Sequence, residues 1–238
     1  MKPALTRRTI KAPLHWTELP MGEWLAAEIQ ERLNLWCPQL FGYHLLKLGA
    51  LSSELSCRCS SIRHQSALAA EGERLSLCGE LGALPIRDGA IDVCLLAHAL
   101  DYCADPHQVL REVDRVLTND GWVIISGFNP HSLVGLGRWI PSLRQRQPWH
   151  ARMFAPARIR DWLELLGFEM VQCELFGFSS FSGNSRIHWW RENLGRDYVP
   201  YLASVYVLAA RKRTVPLTLE PQRAWRRKPI IVPGMARI

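Results

Sequence analysis

The chain of 238 residues has a length suited to one α/β domain with extensions, and its hydrophobic content of 48% is ample for a core. No run approaches the ~18 apolar residues of a membrane span, and the basic N-terminus has no apolar signal segment, so neither feature is expected. Seven cysteines, an odd set that lies partly in apolar runs, indicate buried reduced thiols and a cytoplasmic location.

The formal net charge of +7 is concentrated at the C-terminus. Residues 1–210 hold 21 basic and 21 acidic side chains, whereas residues 211–238 hold eight basic side chains and one acidic one. Four prolines in the same segment exclude a regular helix. Residues 213–238 are therefore predicted to be an extended basic tail, which either raises solubility or contacts a polyanion such as RNA, DNA or an anionic membrane surface.

The first half of the chain predicts one amphipathic helix and a first buried strand. Apolar residues fall at helical spacing across residues 21–36, and the apolar run at 44–48 then reaches the glycine turn at Gly49. Residues 55–69 are ambiguous and admit a short strand, and 74–78 admit another.

The second half predicts a strand, a helix and a second strand joined by short links. The continuous apolar run 91–97 is typical of a strand covered on both faces. Asp105 suits the N-cap of the following helix, and Pro106 suits its first position. After a turn at Thr118-Asn119-Asp120-Gly121, the run at 122–126 predicts the next strand, which makes a βαβ unit with a right-handed crossover.

The last elements are predicted to be a helix at 157–166, ended by Gly167, and strands at 168–176 and 201–212. The chain then divides into an N-terminal extension with an amphipathic helix (1–40), a central domain (41–212) and the basic tail (213–238).

A family resemblance is carried by the stretch LPIRDGAIDVCLLAHALDYCADPHQVLREVDRVLTNDGWVIISGFNP. It resembles the second half of a small class I S-adenosylmethionine-dependent methyltransferase, and RIRDWLELLGFEMVQ and YVLAARK are similar to the family's closing helix and last strands. The resemblance is strong across 79–130 and weak across 45–78. More narrowly, the whole chain resembles an uncharacterised bacterial group classed with the methyltransferases by similarity. It implies a Rossmann-like α/β fold with a mostly parallel sheet and an antiparallel last strand.

The first half departs from that family at the cofactor turn. The family's D-x-G-x-G-x-G register falls on Lys47, Gly49, Leu51 and Ser53, so only Gly49 matches. A leucine cannot give the close backbone approach that a glycine permits. Lys47 would repel the ammonium of the cofactor, although it could meet the carboxylate. The sequence shows no clean equivalent of the acidic residue that holds the ribose.

The spacing also indicates a shortened first half. Only 35 residues separate Gly49 from Leu84, where the usual two strands and two helices need roughly 50–60. One helix is therefore expected to be missing.

The resemblance assigns site residues in two groups. The cofactor group is Gly49, Glu80, Leu81, Leu96, Ala97 and His98, and the acceptor group is Asn129 and His131. Each has a structural alternative: a tight turn at Gly49, an exposed loop residue at Glu80, a packed histidine at His98 and an ordinary turn at 129–131. The stretch 137–154, with Trp139 and Trp149, suits a planar or anionic substrate, or is a lid with two packed indoles.

Two functions follow. One is an active methyltransferase that binds S-adenosylmethionine weakly through a divergent turn and acts on a small-molecule or macromolecular acceptor. The other is a non-catalytic module that keeps the fold to bind a partner or nucleic acid. No catalytic residue is assigned, although His98 or His131 could serve as a base for an oxygen acceptor. No metal site is expected, because the close pair Cys57 and Cys59 lacks further ligands at suitable spacing.

Overall fold

The computed structural model describes residues 5–6, 10–58, 60–143, 146–178 and 202–213 of the chain. Seven strands are found there: β1 (His44–Leu48), β2 (His64–Ala69), β3 (Leu77–Cys78), β4 (Ile91–Ala97), β5 (Leu117–Phe128), β6 (Phe168–Phe176) and β7 (Val205–Lys212). They form one sheet in the order β3-β2-β1-β4-β5-β7-β6.

The direction of the strands confirms the predicted fold class. Strands β3, β2, β1, β4 and β5 pair in parallel, and β4 lies directly beside β5 as the βαβ reading requires. Strand β7 is antiparallel to both β5 and β6. The apolar runs of β4 and β5 are buried along most of their length, because helices cover both faces of a parallel sheet.

Six α-helices are found in the described residues, one before the first strand and five between strands: α1 (Gly22–Trp36), α2 (Ala50–Glu54), α3 (Ala99–Tyr102), α4 (Pro106–Val116), α5 (Leu133–Leu136) and α6 (Pro156–Leu165). Helix α4 begins as its sequence predicts. The Asp105 carboxylate accepts hydrogen bonds from the backbone N–H groups of His107 and Gln108, at 3.0 and 3.2 Å. Pro106 occupies the first turn, where its missing N–H costs nothing. Gly167 follows α6 with a φ of 85°.

The predicted turn at 118–121 lies inside a strand. Strand β5 already begins at Leu117, and its pairing with β4 shifts register between Ile91 and Val93. Asp120 takes a φ of 66° within this irregular stretch. The turn residues therefore form a bulge, because the extra residues are absorbed without ending the strand.

The first half is shortened as expected. Helix α2 has five residues, and the segment 70–76, which joins β2 to β3, contains no helix. Both ambiguous segments become strands, β2 and β3, and the missing helix is the one that would connect them.

The core has two parts, one on each face of the sheet. Helices α4 and α6 cover one face, with Val113 and Ile159 fully buried there. Helix α1 covers the other face, and Leu25, Ile29 and Leu33 are fully buried against β1 and β4. The division of the chain at residue 40 stays a prediction, although α1 shares its core with the sheet. No helix in the described ranges is long and apolar enough to cross a bilayer.

Candidate functional site

Four parallel strands end at one edge of the sheet, called the carboxyl edge. It is formed by the ends of β1, β2, β4 and β5, since Leu48 is level with Leu68 and Leu96, and Ala97 is level with Ser126. From β1 the chain moves outward to β2 and β3 and then returns to the other side of β1 at β4. Such a switch point opens a crevice between neighbouring loops, and ligands of open α/β sheets bind there.

Gly49 makes the turn at this switch point. Its φ of 95° lies in the region that side chains rarely adopt, and its N–H donates to the Leu68 carbonyl at 2.9 Å. A Cβ at this position would lie 3.2 Å from the Cβ of Ala99 in α3. The turn therefore needs a glycine for its own conformation and for the close approach of α3.

The other positions of the turn are held by side-chain hydrogen bonds. The Ser52 hydroxyl donates to the Leu48 carbonyl at 2.6 Å and accepts from the Ala97 N–H at 2.7 Å, so it links β1 to β4. The Ser53 hydroxyl donates to the Ala50 carbonyl at 2.6 Å. Leu51 has an exposed fraction of 3%. Sequence reasoning missed Ser52, whose buried role appears only once β4 is placed.

Lys47 is turned into the protein. Its ammonium donates to the Leu55 carbonyl at 2.7 Å, across the loop that follows α2. Burial lowers the pKa of Lys47, against the nearby thiols of Cys57 and Cys37, which raise it. Lys47 thus ties the end of α2 to β1.

His98 and Asp101 form a buried pair just beyond β4. His98 has a φ of 53°, and its Nδ1 lies 3.0 Å from Oδ2 of Asp101. The same carboxylate oxygen accepts the Phe128 N–H at 3.0 Å. Burial raises the pKa of Asp101, although the hydrogen bond and charge of His98 and the bond from Phe128 lower it. Both side chains are fully buried.

The second ring nitrogen of His98 is buried without a hydrogen-bond partner among the described residues. Aromatic rings stand on two sides of the imidazole, Phe128 at 4.1 Å between centroids and Trp16 edge-on at 5.7 Å. An unpartnered buried nitrogen is costly unless a ligand or water completes it. His98 is therefore the strongest candidate for a group that works on a ligand at this edge.

A segment of the N-terminal region crosses the carboxyl edge. This segment, residues 10–19, is called the strap. The Trp16 indole donates to the Leu51 carbonyl at 3.0 Å, and His15 pairs with Glu54 at 2.7 Å. At its other end the Lys11 carbonyl accepts from Gln147 at 3.4 Å. The strap therefore covers both α2 and the His98 ring.

The acidic candidates lie on the β2–β3 side of the edge. Glu80 is exposed two residues after β3, and Leu81 is half-buried against the core. Glu71 is exposed two residues after β2. Its neighbour Gly72 approaches Ala50 of the turn, so that an added Cβ would lie 3.5 Å from that methyl. The apolar run before Glu71 could have indicated that this residue follows a strand. The signal was missed because the end of β2 could not be located in the sequence.

The two acceptor candidates differ in what they can do. The Asn129 side chain donates to the Ala203 carbonyl at 2.9 Å and accepts the His131 N–H at 3.1 Å, so it shapes the loop after β5. His131 is exposed at the same edge. Leu96 and Ala97 are buried at the end of β4 and form the wall between these loops.

The indoles of the long loop are not both packed. Trp149 is half-buried and donates to the Val134 carbonyl at 2.9 Å, whereas Trp139 is 85% exposed. The prediction of a lid with two packed indoles therefore holds for Trp149 and is wrong for Trp139. Within the described residues, no cluster of three or more His, Cys, Asp and Glu side chains could hold a metal. Cys59 and the tail from residue 214 lie outside the described residues.

Comparison with solved structures identifies the fold. A crystal structure of an S-adenosylmethionine-dependent methyltransferase from Archaeoglobus fulgidus matches with a TM-score of 0.57 and 17% identity, over 79% of this chain and 94% of that one. The [4+2]-cyclase SpnF matches with a TM-score of 0.54 and 16% identity, over 79% and 81%.

Comparison of the sequence identifies the family. A family described as a methyltransferase domain matches residues 51–125. The chain belongs to the same family as the uncharacterised protein YafS, and part of it matches the methyltransferase domain. It is 41% identical to the uncharacterised protein YafS of Escherichia coli over 234 residues, which cover 97% of this chain and 94% of YafS.

Proposed function

We propose that this protein transfers the methyl group of S-adenosylmethionine to an acceptor bound at the carboxyl edge. The observation that carries the proposal is the Gly49 turn at the switch point, with the unpartnered nitrogen of His98 beside it. The residues fit the cofactor in part: the glycine conformation is kept, and two exposed carboxylates, Glu71 and Glu80, stand at the ends of β2 and β3.

The chain's own residues would bind the cofactor and exclude water. Glu80 would accept from the adenine amino group, with Leu81 beside the ring, and Glu71 would hold the ribose hydroxyls. The backbone of Gly49 and the wall of Leu96 and Ala97 would enclose the methionine part. The bound cofactor supplies an electrophilic methyl group on a sulfonium, so the protein's main task is to hold the acceptor atom in line with it.

His98 would accept the proton of a protic acceptor. Asp101 fixes the imidazole through Nδ1, which leaves the lone pair of Nε2 for the proton of an acceptor O–H or N–H bond. The electron pair of that bond would stay on the acceptor atom and form the new bond to the methyl carbon, while the carbon–sulfur bond breaks and its electron pair leaves on the sulfur of S-adenosylhomocysteine. Asp101 then stabilises the imidazolium, as a positioning residue that touches neither substrate nor cofactor.

The strap must move for ligands to reach this nitrogen, since His98 is fully buried beneath Trp16. A closed strap lowers the apparent affinity of any ligand that needs the open form. Trp16→Ala should therefore tighten cofactor binding. If Trp16 instead forms part of the binding site, the same substitution should weaken binding.

The non-catalytic alternative has one observation in its favour. The Trp16 indole donates to the Leu51 carbonyl, directly over the turn in which the family resemblance would place glycines at Leu51 and Ser53. If this contact is permanent, the edge is closed and the fold serves only to bind a partner.

Calorimetric titration with S-adenosylmethionine separates the two functions. The parent should bind, and Glu80→Gln should weaken binding roughly three- to tenfold, the loss expected for one hydrogen bond. Glu164→Gln, at an exposed position of α6, is the matched control and should change nothing. Absence of binding by both the parent and Trp16→Ala at about millimolar cofactor would establish the non-catalytic module.

A further inference from the structure

Three large apolar side chains stand exposed on one turn beyond the carboxyl edge. Helix α5 continues directly into a 3-10 turn, Gly137–Trp139, so residues three and four apart share a side. Leu136, Trp139 and Ile140 lie at this spacing and are 55%, 85% and 49% exposed. These three residues are called the lip.

The lip is held firmly on its other side. The Ser132 hydroxyl caps α5 by accepting the Gly135 N–H at 3.0 Å. Val134 is buried, and its carbonyl accepts the Trp149 indole N–H. A Cβ at Gly137 would collide with that indole. The apolar exposure of the lip therefore comes from a packed turn that presents these side chains outward.

The charged side chains of the chain segment that carries the lip have one sign. Residues 121–160 contain six arginines and no aspartate or glutamate. Arg138 lies within the lip turn and Arg146 follows it, and both are exposed. The complementary partner is therefore anionic.

The shape and chemistry of the lip select among anionic partners. Three highly exposed side chains do not enclose a small ligand. They also offer far less area than the ~800 Å² per partner that a stable protein interface buries. Nucleic acid would use the indole for stacking but would gain nothing from Leu136 and Ile140. A bilayer uses all of them, since aliphatic side chains enter the acyl region, indoles favour the interface and arginines meet anionic headgroups.

We propose that the lip docks this protein reversibly on an anionic membrane surface. The lip belongs to the loop after β5, whose far end is joined to α3 by bonds from Arg152 N–H to the Asp101 carbonyl, at 2.8 Å, and from Tyr102 to Gln147, at 2.8 Å. Docking through Trp139 places the carboxyl edge next to the bilayer. The contact does not depend on methyl transfer.

Co-sedimentation with vesicles tests the docking. The probe is phosphatidylcholine vesicles with about a quarter phosphatidylglycerol, and the full chain is compared with the double variant Trp139→Ser/Ile140→Ser. Loss of two anchoring side chains should lower the partition coefficient by at least roughly tenfold. The matched control is Phe41→Ser/Tyr43→Ser, at side chains 72% and 80% exposed before β1, at the opposite end of the sheet. It should bind as the parent does.

All variants carry the same basic tail, so the difference between the two pairs isolates the lip. Arg146→Gln should weaken binding to the anionic vesicles and leave binding to pure phosphatidylcholine unchanged. If the lip pair lowers the melting temperature, the single change Trp139→Ser replaces it. Cofactor titration without vesicles should be the same for all variants, so a failure of docking is distinguishable from a failure of the proposed function.

Three results would overturn the docking. The first is equal partition of the lip variant and the parent. The second is loss of RNA binding by the lip variant while vesicle binding is kept. The third is a dimer in the parent that dissociates in Trp139→Ser/Ile140→Ser, which would show that a second copy of the chain covers the lip.

Discussion

Gly49 meets two constraints that a side chain would violate together. Its φ of 95° is strained for any other residue, and an added Cβ would lie 3.2 Å from the Cβ of Ala99. Gly49→Ala should therefore lower the free energy of unfolding by about 2–4 kcal/mol, more than a positive φ alone costs. Chemical denaturation measures the change.

Gly167→Ala separates the two causes. Gly167 has a similar φ of 85°, and nothing lies within 4 Å of an added Cβ, so this variant measures backbone strain alone. Adding Ala99→Gly to the Gly49→Ala variant removes the contacting methyl group. It should therefore restore the part of the stability loss that exceeds the loss in Gly167→Ala. Equal losses for Gly49→Ala and Gly167→Ala would show that the contact with α3 has no energetic weight.

Asp101 should make folding stability depend on pH. Its folded-state pKa is raised, chiefly by burial, so its contribution is fully present below the usual Asp value and is lost as pH rises through the raised value. The Asp101→Asn variant has no titratable carboxyl group at this position. The parent should therefore lose stability relative to the variant across that window, by at most about 1.4 kcal/mol per pH unit, because a single proton is involved.

Urea denaturation of the parent and Asp101→Asn, from acid to neutral pH, gives this difference directly. His98 is common to both proteins, and Asp161→Asn at an exposed position of α6 is the matched control. A difference that stays constant with pH, or that grows in favour of the parent, would contradict the raised pKa.

Single residues were predictable where they end an apolar run. His98 follows the run of β4, so its place at the carboxyl edge could be read directly from the sequence. Asp101 was missed because its pairing depends on the φ of 53° at His98 and on a helix of only four residues. Glu71 was missed because β2 has no clear end in the sequence.

The strap should loosen as pH rises. Glu54 accepts from His15 and raises its pKa, helped by the charges of Glu73 and Glu18. The stabilisation is therefore fully present below about 6.5, the ordinary His value, and is lost as pH rises through the raised folded value. The effect should be small, because the pair is at the surface.

Nuclear magnetic resonance titration of the His15 ring tests this directly. Glu54→Gln should return the pKa of His15 toward its ordinary value and remove the pH dependence of proteolysis within the strap. Glu31→Gln, at an exposed position of α1, should leave both unchanged. An ordinary pKa for His15 in the parent would mean that the ion pair does not hold the strap.

Elements with local signals were predictable, and those defined by distant contacts were not. Helix α4 has an Asp N-cap, a Pro at its first turn and a regular apolar face, and it forms as expected. Helix α2 has only five residues, held by Ser52 bonds to β1 and β4 that no local pattern reveals. The course of the strap over α2 likewise depends on Trp16 meeting Leu51, 35 residues away.

The whole molecule keeps the sheet of its solved neighbours, and the turn after β1 is held by contacts of its own. The sheet needs apolar strands joined by crossover connections, and parallel strands with such connections are present in both halves. The turn is stabilised instead by Ser52, Lys47 and the strap, each of which bonds a backbone group near α2. The sheet and this turn are thus stabilised by separate contacts, so cofactor binding does not follow from the fold and is measured by titration.

The charge asymmetry of the whole chain predicts where polyanions bind. Residues 1–210 are formally neutral, and residues 211–238 hold the entire charge of +7. Binding of heparin or RNA should therefore reside in the tail, with a log–log dependence on salt of about −5 to −6 for about seven phosphates. The full chain and a chain ending at Lys212 are compared at two salt concentrations, and the shortened chain should bind little. Equal binding by both would place the polyanion contact on the domain, beside the arginines of 121–160.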